Sequence, residues 1–104
     1  MVIDIIKLAA CICSKDGIIS GDEINYMKKG INDIDPSFDI NNFEDIIEDF
    51  FTENKSVEEY CEKLQKPVNK DIILEYCYES ASIDGLDPRE NEAYIAARKY
   101  LKKN

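Results

Sequence analysis

The chain has no histidine among its 104 residues. That absence removes the serine triad, the cysteine–histidine pair and imidazole ligation of a metal. Glycine (four) and proline (three) are scarce, so long structureless loops are not expected. No glycine-rich phosphate loop is present, and no Asn-Gly turn lies between alternating apolar runs, as a β-hairpin would require. Bases are few: 13 Lys and Arg against 22 Asp and Glu leave a net charge of −9. Such a balance lacks the footprint for nucleic-acid phosphates or an anionic leaflet, and favours cations and basic partners. The opening MVIDIIKLAACIC carries no basic leader, and Asp4 and Lys7 interrupt its apolar run. Neither a membrane span nor a signal peptide is expected there, and a cytoplasmic setting is.

Cysteine is present but not in metal-binding form. Cys11, Cys13, Cys61 and Cys77 make no C-x-x-C pair, and a two-residue step puts Cys11 and Cys13 on different helix faces. Zinc is not expected, and the thiols read as small buried hydrophobes. With 44% hydrophobic residues, residues 1–104 form one domain. A chain of this size buries roughly 60–70% of its unfolded surface.

Residues 2–14 are apolar on nearly every side, through Val2, Ile3, Ile5, Ile6, Leu8, Ala9, Ala10 and Ile12. The run LAAC favours helix over strand, and a helix with this pattern belongs in the centre of a core. Gly17 breaks it by taking positive φ. Ser20 to Glu23 is a capping box opening a helix over about 21–29, with Lys28, Lys29 and Gly30 as its stop. Ile40, Phe43, Ile47 and Phe50 repeat at helical spacing, which predicts an amphipathic helix over about 40–53. Ser56 to Glu59 opens a short helix to about Leu64, ended by Pro67. Asn69 caps a helix over 70–82, buried through Ile72, Ile73, Tyr76, Cys77 and Ser80. Asp87-Pro88-Arg89-Glu90 is a third box, starting a last helix over about 88–102. The fold class is all-α, a compact bundle of about six helices.

Two stretches are alike. CSKDGIISGDE at residues 13–23 and ASIDGLDPRE at residues 81–90 each place an Asp-Gly break and a capping box after an apolar helix. The two aspartates are 68 positions apart, so the chain reads as two pseudo-repeated helix–Asp-Gly–helix units, with helices 1–14 and 70–82 packed together. Sequence leaves open whether the two loops lie side by side or at opposite ends. Aligning Gly17 with the EF-hand glycine puts Ser14, Asp16, Ser20 and Glu23 at calcium-ligand positions. The first ligand position then falls on Ile12, which cannot ligate, and the second loop fits less well. Asp-Gly followed by a cap is also simply how two helices are joined.

These stretches, with the second extended as ASIDGLDPRENEAYIAARKYL, resemble the TerB-like family, named for bacterial tellurite-resistance proteins. The resemblance rests on Asp16, Gly17, Ile19, Ser20 and Glu23, and on Ala81, Asp84, Gly85, Leu86, Asp87 and Glu90. It departs at Cys13 and Lys15, where small residues are usual, and covers about a third of the chain directly. The resemblance implies an all-helical domain with acids gathered on one side. It also implies a link to tellurite or oxidant stress, phage defence or membrane-associated chaperone complexes, without a defined chemical activity. If a divalent cation (Ca or Mg) binds, the resemblance puts it at Asp16, Glu23, Asp84 and Glu90.

Charge is unevenly spread. Residues 33–62 hold eleven acids and one base, Lys55. Glu44 and Glu48, like Asp45 and Asp49, are like charges one helical turn apart, at a cost of a few tenths of a kcal/mol per pair. Such a face suits a protein partner with a basic surface, and equally keeps a solvated face soluble. The last eleven residues carry Arg98, Lys99, Lys102 and Lys103 and no acid, which leaves head-to-tail self-association open. The expectation is a non-enzymatic TerB-like adaptor that binds protein. The alternative is an acidic decoy from a phage or mobile element, presenting Glu44, Asp45, Glu48 and Asp49 in place of phosphates.

Overall fold

A computed structural model describes residues 1–65 and 69–102. The expected helix stop at Pro67 and the base Lys103 lie outside the described residues. Six α-helices follow one another: α1 (Val2–Cys13), α2 (Gly21–Ile34), α3 (Phe43–Glu53), α4 (Val57–Glu62), α5 (Lys70–Ser82) and α6 (Pro88–Lys102). Short 3-10 turns, Ser14–Asp16 and Ile40–Asn42, follow α1 and precede α3. No strand occurs among the described residues, so the chain is an all-α bundle.

The centre of that bundle is α1. Every residue from Ile5 to Cys13 is buried, and each of the other five helices packs on it. A helix without a polar face has no other stable environment in water. Its first turn is less enclosed: Ile3, expected inside, is half exposed. One charge is drawn into the core. Lys7 is only 7% exposed, and its ammonium pairs with Glu53 at the end of α3. The other Glu53 oxygen accepts from the Tyr60 hydroxyl at 2.8 Å. Lys7 thereby holds the Glu53 carboxyl below its ordinary range, and the pair ties α1, α3 and α4 together.

Caps set most of the helix starts. Ser20 and Ser56 each accept from the backbone three residues on, while Glu23 and Glu59 reach back to the cap N–H. Asn69 accepts from the Ile72 N–H at 3.1 Å. All three match the sequence signals, as do the bounds of α5 and α6.

Two readings are corrected. First, α2 does not stop at Gly30 but continues to Ile34. Gly30 serves close approach instead: a Cβ there would lie 2.8 Å from the Tyr76 ring carbons Cδ1 and Cε1. The ring cannot retreat easily, since Tyr76 is buried and its hydroxyl donates to the Met27 carbonyl oxygen at 2.9 Å. A glycine that looked like punctuation is a contact between α2 and α5. Second, Ile72 is 47% exposed, while Leu74 and Ala81 complete the buried face of α5. Helix α5 has apolar residues on more than one side, so periodicity alone did not choose between them.

The two first helices of the pseudo-repeat, α1 and α5, do pack together. They run parallel, because their N-terminal ends line one cleft and their C-terminal corners touch. Each second helix also packs on the other unit's first helix, α2 on α5 and α6 on α1.

Gly30→Ala gains about 1 kcal/mol of helix propensity and meets an overpacking cost of about 1–3 kcal/mol against the pinned ring. A net loss of stability is expected, read as a lower urea midpoint. A higher midpoint would show that the Tyr76 ring yields.

Candidate functional site

Both Asp-Gly corners have the same local build. Gly17 has φ 109° and its N–H donates to the Ser14 carbonyl oxygen at 2.9 Å; Gly85 has φ 91° and donates to that of Ser82 at 3.0 Å. An L side chain rarely adopts either conformation, so glycine is required at both. After each corner a carboxylate folds back on a helix start. Glu23 Oε1 accepts from the Ser20 N–H at 2.9 Å, and Glu90 Oε1 from the Asp87 N–H at 3.3 Å.

Because α1 and α5 run parallel, the corners lie side by side. The Ser20 hydroxyl of the first donates to Asp84 of the second. This contact joins the units and brings together the four acids singled out from sequence. Asp16 and Asp84 are exposed, whereas Glu23 and Glu90 are 3% and 1% exposed. Burial pushes Glu90 up to about 7; the Asp87 N–H opposes that rise, and Glu23, Asp16 and Asp87 add to it. Glu23 is raised for the same leading reason, with Asp16 and Asp84 contributing. The second Glu90 oxygen, Oε2, is buried with no hydrogen-bond partner among the described residues. Two carboxyls have been taken out of water to cap helices, and one has half its hydrogen-bonding capacity unused.

Direct coordination of a metal does not fit this arrangement. Glu23 and Glu90 spend Oε1 on backbone N–H groups, Asp84 accepts from Ser20, and Asp16 Oδ1 accepts from the Ile18 N–H at 3.3 Å. Among the described residues, no group of three or more Asp, Glu or Cys side chains could hold a metal ion. A base missed by sequence reasoning also stands here: Arg89 Nε lies 3.2 Å from Asp87 Oδ1, and the Asp87 carboxylate raises the guanidinium above its ordinary range, with Asp16 adding to the rise. The spacing Asp87-x-Arg89 at a helix start could have flagged it.

Glu44, Asp45, Glu48 and Asp49 form a second acidic group, all exposed on α3. They are not equivalent. Lys28 of α2 pairs with Glu44, holds that carboxyl below its ordinary range, and sits 5.8 Å from the centre of the Phe43 ring. Linear sequence could not reveal this pairing, since Lys28 comes from a different helix. The four thiols are free and buried, and burial raises all four; Cys61 reaches about 12. A thiolate is therefore disfavoured at each of them.

Comparison with family models, curated proteins and solved structures returned no match to this chain. The described helices include none long and apolar enough to cross a membrane.

Glu90 gives the site a pH signature. The unfolded chain releases this proton near 4.5, while the folded chain keeps it until about 7. Stability therefore falls as pH rises through that window, and this group adds no slope outside it. Glu23, shifted in the same direction, adds to the fall. Glu90→Gln keeps the acceptor for the Asp87 N–H and cannot ionise. It is expected to match wild type near pH 4 and exceed it near pH 8 by about 1–3 kcal/mol. Urea melts at both pH values check this, and a gap independent of pH would contradict it.

Proposed function

We propose that the chain is a non-enzymatic helical adaptor of the TerB-like kind, serving a stress or phage-defence response through its paired Asp-Gly corners. One observation carries the reading: two corners of like build are joined through Ser20 and Asp84, above two carboxyls buried at a stability cost. A chain needing only to connect helices could cap them with exposed glutamates, as Ser56 and Glu59 do in α4. Burial of Glu23 and Glu90 is a stability cost that function explains better than folding. The partner surface for such a site is basic. A divalent cation, Ca or Mg, belongs to this reading only as an ion held loosely through its water shell, since no three carboxylates among the described residues converge as direct ligands.

A second reading is favoured by the exposed row on α3. An acidic decoy would present Asp45, Glu48 and Asp49 to a nucleic-acid-binding protein, with Glu44 partly withdrawn by Lys28.

Amide replacements separate the two. Capture of a partner from lysate of the native cell should be lost in Asp16→Asn, Glu23→Gln, Asp84→Asn, Glu90→Gln and kept in Glu44→Gln, Asp45→Asn, Glu48→Gln, Asp49→Asn. The reverse pattern selects the decoy. Millimolar calcium is expected to raise the melting temperature by about 2–4 °C over a sodium control of equal ionic strength. No rise, or a rise unchanged in Asp16→Asn, Asp84→Asn, removes the cation from the reading.

A further inference from the structure

We propose that the seam between α2 and α5 is a docking groove for a basic amphipathic helix of a partner protein. Two clefts lie end to end along this seam and share Asp33, Ile34 and Ile72. The first continues between the N-terminal ends of α1 and α5, past Met1, Ile5, Asn69 and Ile73, and has a volume of about 370 Å³. The second continues along the seam past Gly30, Glu75 and Tyr76 to Tyr26 and Glu79. There the Tyr26 hydroxyl donates to Glu79 and bridges the two helices.

The floor of the first cleft is apolar without being covered. Ile72 is 47% exposed and Met1 64%, although Ile72 has the helical spacing of a core residue. Gly30 keeps the seam low, because any side chain there would meet the Tyr76 ring. The walls are of one sign. Asp33, Glu75 and Glu79 line the clefts, and no lysine or arginine is among the described lining residues. From Asn69 to Glu79 is ten residues, about 15 Å along a helix, enough for two to three turns of a docked helix.

These features specify the occupant. Aliphatic anchors spaced i, i+3 or i+4, and i+7 would fill the floor, with lysine or arginine flanking them to meet the three carboxylates. Nucleic acid is repelled by those carboxylates. A small apolar ligand could enter a cleft of this size but would leave the acidic walls unexplained. The surface is distinct from the Asp-Gly corners and from the acidic row on α3, so this inference stands or falls separately from the function proposed above.

The test uses three synthetic 14-residue helical peptides: a leucine–lysine amphipathic helix, its leucine–glutamate counterpart, and a scrambled leucine–lysine sequence without an apolar face. Binding is read by fluorescence anisotropy, and its location by amide shift changes in the isotope-labelled full chain. The amphipathic basic peptide is expected to bind with shifts at Ile34, Ile72, Glu75 and Glu79, at least about ten-fold tighter than either control. Ile72→Gln and, independently, Glu75→Lys should each weaken it about ten-fold. Both residues have exposed side chains, and melting curves of the two variants confirm that the fold is kept. The four amide changes on α3 should leave binding within about two-fold. No binding, equal binding of the scrambled peptide, or shifts confined to α3 or the Asp-Gly corners would overturn the proposal. So would concentration-dependent dimerisation of the chain alone with shifts in this groove, which would make the occupant a second copy.

Discussion

Complete enclosure of α1 is the constraint on which the remaining structure depends. From Ile5 to Cys13 no position of that helix tolerates water, so five helices must surround it and the chain must route them there. The single charge on the enclosed stretch, Lys7, is kept by pairing with Glu53, and Tyr60 satisfies the other oxygen of that carboxylate. Breaking one partner of such a pair leaves an uncompensated buried charge, which is costlier than the pair itself is stabilising. Two helices, α3 and α4, are therefore registered on α1 by one hydrogen-bonded group, and the rest by shape.

Shape is most exacting where α2 crosses α5. Gly30 and Tyr76 meet at a separation that admits no side chain, and the hydroxyl of Tyr76 reaches across to Met27. This contact has two consequences. It joins one pseudo-repeat to the other, and it leaves a shallow channel on the solvent side, floored by aliphatic groups and walled by carboxylates. A structural contact and a recognition surface are thus two sides of the same helix pair.

Electrostatically the molecule works against itself in two places. At the paired corners, Glu23 and Glu90 are withdrawn from water beside Asp16 and Asp84, and Glu90 holds its proton to about neutral pH as a result. On α3, like charges stand one turn apart in solvent, relieved only where Lys28 reaches Glu44. Screening by water and salt makes the second arrangement cheap. Burial makes the first expensive, and for that reason the corners carry the functional reading.

Much of this was legible in the sequence. Capping chemistry is local, since a serine or asparagine oxygen and a glutamate three residues on satisfy backbone groups within one turn, and so the starts of α2, α4, α5 and α6 could be placed. The positive φ of Gly17 was legible for the same reason, and the apolar run from Ile5 marked α1 as central. Ile72 and Gly30 were misread because local pattern could not say which side of α5 faces inward or what stands opposite a glycine in a helix. Sequence by itself determined the six helices, the twin corners and the sign of the charge. Tertiary structure alone decided that α1 and α5 run parallel, so that the corners meet, Glu90 is desolvated and Ile72 is left at the surface. Hydrogen bonds within one turn depend on neighbours along the chain, whereas burial depends on what the rest of the chain brings alongside.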